Sequence, residues 1–144
     1  RQRQMCIRDR ENPYDLELSE RKMVAIASVV AMDTQVVIFD EPTIAQDYPG
    51  KEKIKQLIRQ LSENGRMVIA ILHDMDFVAE SFQRVIAMAH GKVIADGTPQ
   101  EVFSRHDVLE KARLELPYVS ALCQSLGFSQ IFLKVEDFIE FCKR

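Results

Sequence analysis

No apolar run in this 144-residue sequence approaches the roughly 18 residues that a membrane-spanning helix needs. Nor is there an excess of positive charge. Nineteen lysines and arginines against 22 acids leave a net charge of -3, so electrostatics makes no case for a nucleic-acid partner. Cysteine is scarce and unpatterned. Cys6, Cys123 and Cys142 are an odd set without Cys-x-x-Cys or metal-ligand spacing, which argues against a disulfide scaffold and for a reducing, cytosolic setting. Internal repeats and low-complexity linkers are missing as well, and nothing in the first ten residues looks like a signal peptide. At 47% hydrophobic and 28% charged, the composition fits one ordinary globular domain or part of a larger one.

The first segment, Arg1 to Arg10, carries four arginines and no helical or strand periodicity. It reads as a disordered end or a basic arm. Its string Arg-Gln-Met-Cys-Ile-Arg-Asp-Arg also resembles translated sequencing-adapter read-through, in which case the selected sequence begins near Glu11 and residues 1–11 are non-native.

The most informative stretch is Val36 to Asp47. Four consecutive apolar, mostly β-branched residues predict a strand buried on both faces, as in a parallel sheet, and it ends in the adjacent acids Asp40 and Glu41. Ligands of open α/β sheets bind at the carboxyl ends of strands, and Pro42 stops this strand there. Some P-loop nucleotide hydrolases use such a pair, the first acid for Mg²⁺ and the second to polarise the attacking water. A plain strand and acidic turn is the alternative.

Upstream, Pro13 biases Asn12 towards extended backbone, and Ser19 is placed to cap a helix running to about Met32. Met23, Ile26, Ala27, Val30 and Ala31 recur at helical spacing, with Lys22 at the capping-box position where Glu or Gln is usual. Such an apolar helix is expected to be buried on most sides. Its amino end, with free N–H groups, reads either as an anion site or as a capped core helix.

Leu16 to Lys22 leading into Val24-Ala25-Ile26-Ala27, then Val36 to Glu41, then Ile44-Ala45-Gln46-Asp47, resemble the signature region, Walker B motif and D-loop of an ATP-binding-cassette ATPase. The likeness is greatest to the ATPase subunits of energy-coupling-factor importers. Three ordered motifs at family-like spacing are far more specific than any one alone. One departure stands out. Counted back without gaps from Val24, the usual Leu-Ser-Gly-Gly-Gln becomes Leu16-Glu17-Leu18-Ser19-Glu20, with a carboxylate at Glu17 where a hydroxyl would donate to phosphate. Ser19 is the hydroxyl one turn on. Reading Leu18-Ser19 as the motif's start requires a two-residue deletion.

Downstream, Pro49 and Gly50 are expected to end the loop before an amphipathic helix from Lys51 to Glu63, closed by Asn64-Gly65. Met67 to Leu72 predicts a second parallel strand with His73 at its carboxyl end, on the same edge as Asp40 and Glu41. Asp74 caps a helix from Met75 to Phe82, and strands at Arg84 to Ala89 and Lys92 to Ala95 pair antiparallel across His90-Gly91. Thr98, Pro99 and Glu101 carry a capping box. Helices follow from Pro117 to about Gly127, with Val119, Leu122, Cys123 and Leu126 on one face, and from Val135 to Cys142.

The resemblance implies an α/β fold, a partial three-layer P-loop ATPase with parallel core strands and a helical carboxyl-terminal tail. Residues 12–116 would form the carboxyl half of the nucleotide-binding domain and 117–144 a regulatory or dimer-stabilising extension. It further implies ATP and Mg²⁺ as cofactors, Asp40 on the metal, Glu41 activating water and His73 as the switch histidine at the γ-phosphate. Glu17, Ser19 and Glu20 would face nucleotide on an opposing subunit, and Asp47 would bridge the two. The implied partners are a second ATPase in a head-to-tail dimer and a transmembrane coupling subunit, at the cytoplasmic face of the membrane, in vitamin or metal-ion uptake. Competing readings are a non-transport cassette ATPase and a non-catalytic interaction module on a decayed cassette. Gly-x-x-x-x-Gly-Lys-Ser/Thr, the loop that holds the β- and γ-phosphates, does not occur in the sequence. The family places its strand between the one leading to His73 and the one at Arg84 to Ala89. The chain alone is therefore expected to leave apolar strand edges unpaired and to hydrolyse no ATP.

Overall fold

The computed structural model describes residues 12–128 and 130–143. The reading of residues 1–11 lies outside them. Two compact units divide the chain, the first ending at Ile71 and the second beginning at Leu72.

In the first unit Asn12 Oδ1 accepts from Tyr14 N at 3.1 Å, opening a single 3-10 turn, Pro13–Asp15. Helix α1, Leu18–Ala31, follows. Ser19 does not cap it. The helix begins one residue earlier, Glu17 occupies the cap position without a side-chain bond to the helix, and Ser19 lies in the first turn. The expected burial of α1 on most sides is also corrected, since Ile26 alone is fully buried and Val24 and Val29 are exposed. An apolar stripe shows what a helix can bury, whereas the elements packed on it decide what it does bury.

Strand β1, Val36–Asp40, pairs parallel with β2, Met67–Ile71, in a register running from Val36 opposite Met67 to Asp40 opposite Ile71. The crossover is helix α2, Tyr48–Glu63, giving the βαβ unit expected. Pro49 and Gly50 belong to its first turn rather than to the preceding loop. Asp47 Oδ1 accepts from Gly50 N at 2.9 Å, and proline suits a first-turn position where no intrahelical N–H bond is lost. A Cβ on Gly50 would come within 2.4 Å of Gln46 Oε1, so a larger residue there would displace the Gln46 side chain. Ile54, Ile58 and Leu61, spaced by helical turns, are buried. Each contributes about 1.5–3 kcal/mol by leaving water. Gly65, at φ 76°, ends the helix, and its N–H reaches Ser62 O at 2.9 Å.

Only one face of β1 is buried, not two. Val37 is 1% and Phe39 5% exposed, but Ile38 is 62% exposed, and Met67, Ile69 and Ile71 of β2 are exposed too. The residues are apolar enough for two-sided burial. The described chain covers one side.

In the second unit Asp74 accepts from Phe77 N at 3.0 Å and caps α3, Met75–Ser81, as expected. Strands β3, Val85–Ala89, and β4, Lys92–Gly97, pair antiparallel with an irregularity between Ala87 and Met88. His90 and Gly91, both at positive φ, form the two-residue turn. Thr98 and Glu101 make the full capping box of α4, Pro99–Phe103, which leads to α5, His106–Ala112. Met75, Val78, Ala79, Phe103 and Leu109 pack as one core cluster, and Ala87, Ala95, Val102 and Val108 as another.

Helix α6, Tyr118–Ser125, and α7, Val135–Cys142, complete the unit. Val119 and Cys123 of α6 are buried, whereas Leu122 and Leu126, expected on the same face, are exposed. The helix ends at Ser125, and side-chain bonds rather than a wide apolar face attach it. Asp76 Oδ1 accepts from Tyr118 N at 2.9 Å, and Ser120 Oγ donates to Phe132 O at 2.5 Å. Phe138 and Phe141 of α7 each meet the rings of Phe128 and Phe132 at centroid distances of 5.3–6.0 Å. No described helix is long and apolar enough to cross a membrane.

Candidate active site

Strand β1 ends at Asp40, whose side chain is exposed at the carboxyl edge of the parallel pair. One further backbone bond, Glu41 N to Ile71 O at 3.0 Å, extends the ladder past the strand's end. There the chain turns sharply. Glu41 is left-handed at φ 47° and Ala45 at φ 61°. Left-handed backbone is uncommon outside glycine, and each such residue costs on the order of 1–3 kcal/mol unless its surroundings hold it.

The surroundings here are identifiable. Pro42 and Thr43 are buried beneath the turn, Ile44 N donates to Glu41 O at 3.4 Å, and Gln46 N donates to Thr43 O at 3.2 Å. From α1, the Lys22 ammonium donates to the carbonyl of Glu41 and, at 3.3 Å, to that of Ile44. In the opposite direction Gln46 Nε2 donates to Ser19 O at 3.2 Å. Three side-chain bonds thus join the first two turns of α1 to the loop that starts at Glu41.

Glu17, Ser19, Glu20, Asp40, Glu41 and Asp47 all fall in the first unit. Ser19 and Glu20 are half-buried in the first turn of α1, and Glu17 is exposed at its cap. The helix's amino-terminal N–H groups favour an anion, while the carboxylates of Glu17 and Glu20 add negative charge beside them. Asp47 caps α2 in this arrangement. His73 lies in the second unit, exposed, next to the Asp74 cap of α3. Lys22 and Gln46 were not among the expected site residues. Both nevertheless lie in motifs read from the sequence, Lys22 at the end of the signature region and Gln46 in the D-loop.

Among the described residues no three His, Cys, Asp or Glu side chains gather as a metal cluster. Asp40 offers a single hard oxygen donor group at an open strand end. That suits Mg²⁺ held jointly by one or two carboxylates and nucleotide phosphates, and would not suit an all-protein cage. A cavity of about 500 Å³ in the second unit, lined by Gln100, Ser104, His106, Gln130, Ile131 and Phe132, contains none of the expected site residues.

The sequence is similar to known proteins over most of its length. The energy-coupling factor transporter ATP-binding protein EcfA2 of Methanospirillum hungatei is 40% identical over 118 residues, which make up 82% of this chain. EcfA of Methanocaldococcus jannaschii is 39% identical over 115 residues, 80% of this chain. The chain is a relative of the ATP-binding-cassette ATPases. It spans 30% and 41% of the lengths of these two relatives. No family model matches.

Solved cassette structures agree in fold. CbiO1 of Clostridium perfringens, part of an ABC transporter complex, superposes with a TM-score of 0.59 at 36% identity, covering 79% of this chain and 46% of its own. A dimeric ATP-binding cassette in a post-hydrolysis state, bound to ADP and phosphate, has a TM-score of 0.57 at 30% identity. It covers 61% of this chain and 38% of its own. The α/β fold thus matches part of a cassette ATPase structure, as the sequence motifs implied.

Proposed function

We propose that this chain supplies the carboxyl half of the ATP-binding domain in an ATP-hydrolysing subunit of an energy-coupling-factor importer. Residues 12–116 form that half-domain and 117–144 its helical extension. The observation that carries the reading is the pair Asp40–Glu41 at the carboxyl end of β1, in a strained turn tied to the amino end of α1.

In this reading Asp40 would hold Mg²⁺ together with the nucleotide's phosphates, and the metal would supply charge neutralisation at the transferred phosphoryl group. Glu41 takes the proton of the attacking water, and His73 contacts the γ-phosphate. The phosphate-binding loop comes from the remaining half of the domain. The first turn of α1, with Ser19 between Glu17 and Glu20, faces nucleotide held by a second ATPase subunit, and Asp47 bridges the pair. A transmembrane subunit carries the vitamin or metal ion, which places the assembly at the cytoplasmic face of the membrane.

The test is Glu41→Gln in the full-length protein. A lost general base costs about 10²- to 10⁴-fold in turnover, so kcat should fall in that range while ATP still binds. Turnover unaffected by the change would refute the assignment. The chain alone should show no Mg²⁺-dependent hydrolysis.

Glu17 supports a second reading. Its carboxylate sits at the cap of α1 with no capping bond, where a phosphate would be repelled. A non-catalytic module built on a decayed cassette would tolerate this. Glu17→Ser separates the two, because faster ATP turnover in the full-length protein supports a catalytic site weakened by Glu17, and absence of turnover in both proteins supports the module.

A further inference from the structure

We propose that Lys22 is a positioning residue, a strut that holds the loop after the two acids in its left-handed shape and couples it to the nucleotide-facing end of α1. The inference rests on the ATPase reading above and adds to it how the hydrolytic carboxylate is kept in place.

The argument starts from conformation. Glu41 and Ala45 are both left-handed, and neither is glycine, so the turn persists only if other contacts over-determine it. Glu41 O and Ile44 O, at the two ends of the first bend, converge on one ammonium group. A lysine has three donors and no acceptor, so one half-buried Nζ can satisfy both carbonyls and bring their dipoles together, which a neutral side chain could not do as strongly. Glu41 N is already bound to Ile71 O. The backbone of Glu41 is thereby held on both sides, by β2 through its N–H and by α1 through its carbonyl. The direction of its side chain is set by that backbone.

Gln46 makes the link reciprocal. Its amide donates to Ser19 O in the first turn of α1, about one helical turn before Lys22. A movement of that turn, as when it meets or leaves a phosphate, is passed directly to the backbone of Glu41 and Ile44. The junction thus connects the part of the chain that faces a partner's nucleotide with the part that activates water.

The test uses Lys22→Met and Lys22→Arg in the full-length protein, with two readouts. A misplaced catalytic group costs up to about 100-fold, so Lys22→Met should lower kcat for ATP roughly 10- to 100-fold while KM changes less than about twofold, and Lys22→Arg should recover most of the loss. In the same proteins without nucleotide, amide exchange at Ile44 and Gln46 should quicken in Lys22→Met, return in Lys22→Arg, and stay unchanged at Ile54 and Ile58. Unchanged loop exchange, or exchange raised equally in α2, would overturn the strut. A loss in kcat matched by a rise in KM, or unaltered by arginine, would overturn the positioning role. A wild-type protein without ATP turnover would overturn the ATPase reading and the catalytic part of this one, and loop exchange would then decide the strut by itself.

Discussion

The two units solve the same problem of covering a strand pair in different ways. In the second, an antiparallel hairpin closes over a two-residue turn and receives α4 and α5 from the sequence that directly follows, so Val102, Phe103 and Val108 are 0–1% exposed. In the first, a parallel pair is covered by α2 on one face, leaving Ile38, Ile69 and Ile71 at 45–62% exposure. Parallel strands are ordinarily buried on both faces. The contrast shows that local chain can finish a hairpin, whereas a parallel pair needs covering elements from further away. Asp40 and Glu41 sit at the end of the less covered pair.

The sharpest way to break this comparison is to remove the centre of the better-covered unit. Phe103→Ala should cost about 3–5 kcal/mol in the second unit, read as loss of amide protection in β3, β4 and α5, with the first unit's protection retained. Equal loss in both units would show that they fold as one. Next in size is a matched pair in the first unit. Ile54→Ala, at a fully buried site, should cost about 2–5 kcal/mol, and Ile38→Ala, at an exposed one, within about 0.5 kcal/mol in this chain. The same Ile38→Ala in the full-length protein should cost as much as Ile54→Ala if the remaining half-domain covers β1. A small cost in both would mean that the face stays open.

Smaller than the losses at Phe103 and Ile54 is the effect of the capping box that opens α4. Thr98→Ala removes a bond to the Glu101 N–H and should cost about 0.5–2 kcal/mol, visible as fraying of α4. The Glu101 carboxyl is held below its ordinary value of 4.5 by the backbone N–H of Thr98 first and by the Thr98 hydroxyl second, against slight desolvation. A depressed folded value means the contribution is present above 4.5 and fades as pH falls through the folded value. Protection of α4 should therefore decline on acidification in the parent and decline less in Glu101→Gln.

Much of the fold was legible because its signals are local. The Asp74 cap, the Thr98–Glu101 box, the His90-Gly91 turn and the α2 stripe of Ile54, Ile58 and Leu61 each depend on residues within one or two turns of one another. Asp40 and Glu41 were legible for the same reason, as acids at the end of an apolar run. Ser19 misled as a cap because Ser is a good capping residue wherever it falls near a helix start, and spacing alone leaves the start uncertain by a residue or two. Lys22 was passed over because its partners, the Glu41 and Ile44 carbonyls, lie 19 and 22 residues away in sequence.

By itself, the sequence determined the order of elements, the caps of α3 and α4, the hairpin turn, the acids at the end of β1 and the kinship with cassette ATPases, since these rest on residue type and short spacing. Tertiary structure alone decided which apolar faces are covered, why Glu41 and Ala45 hold a left-handed backbone, and that α1 is bonded to the loop carrying Glu41. Those outcomes depend on which groups approach from distant parts of the chain. Burial and hydrogen bonding reward that approach only once the chain has folded.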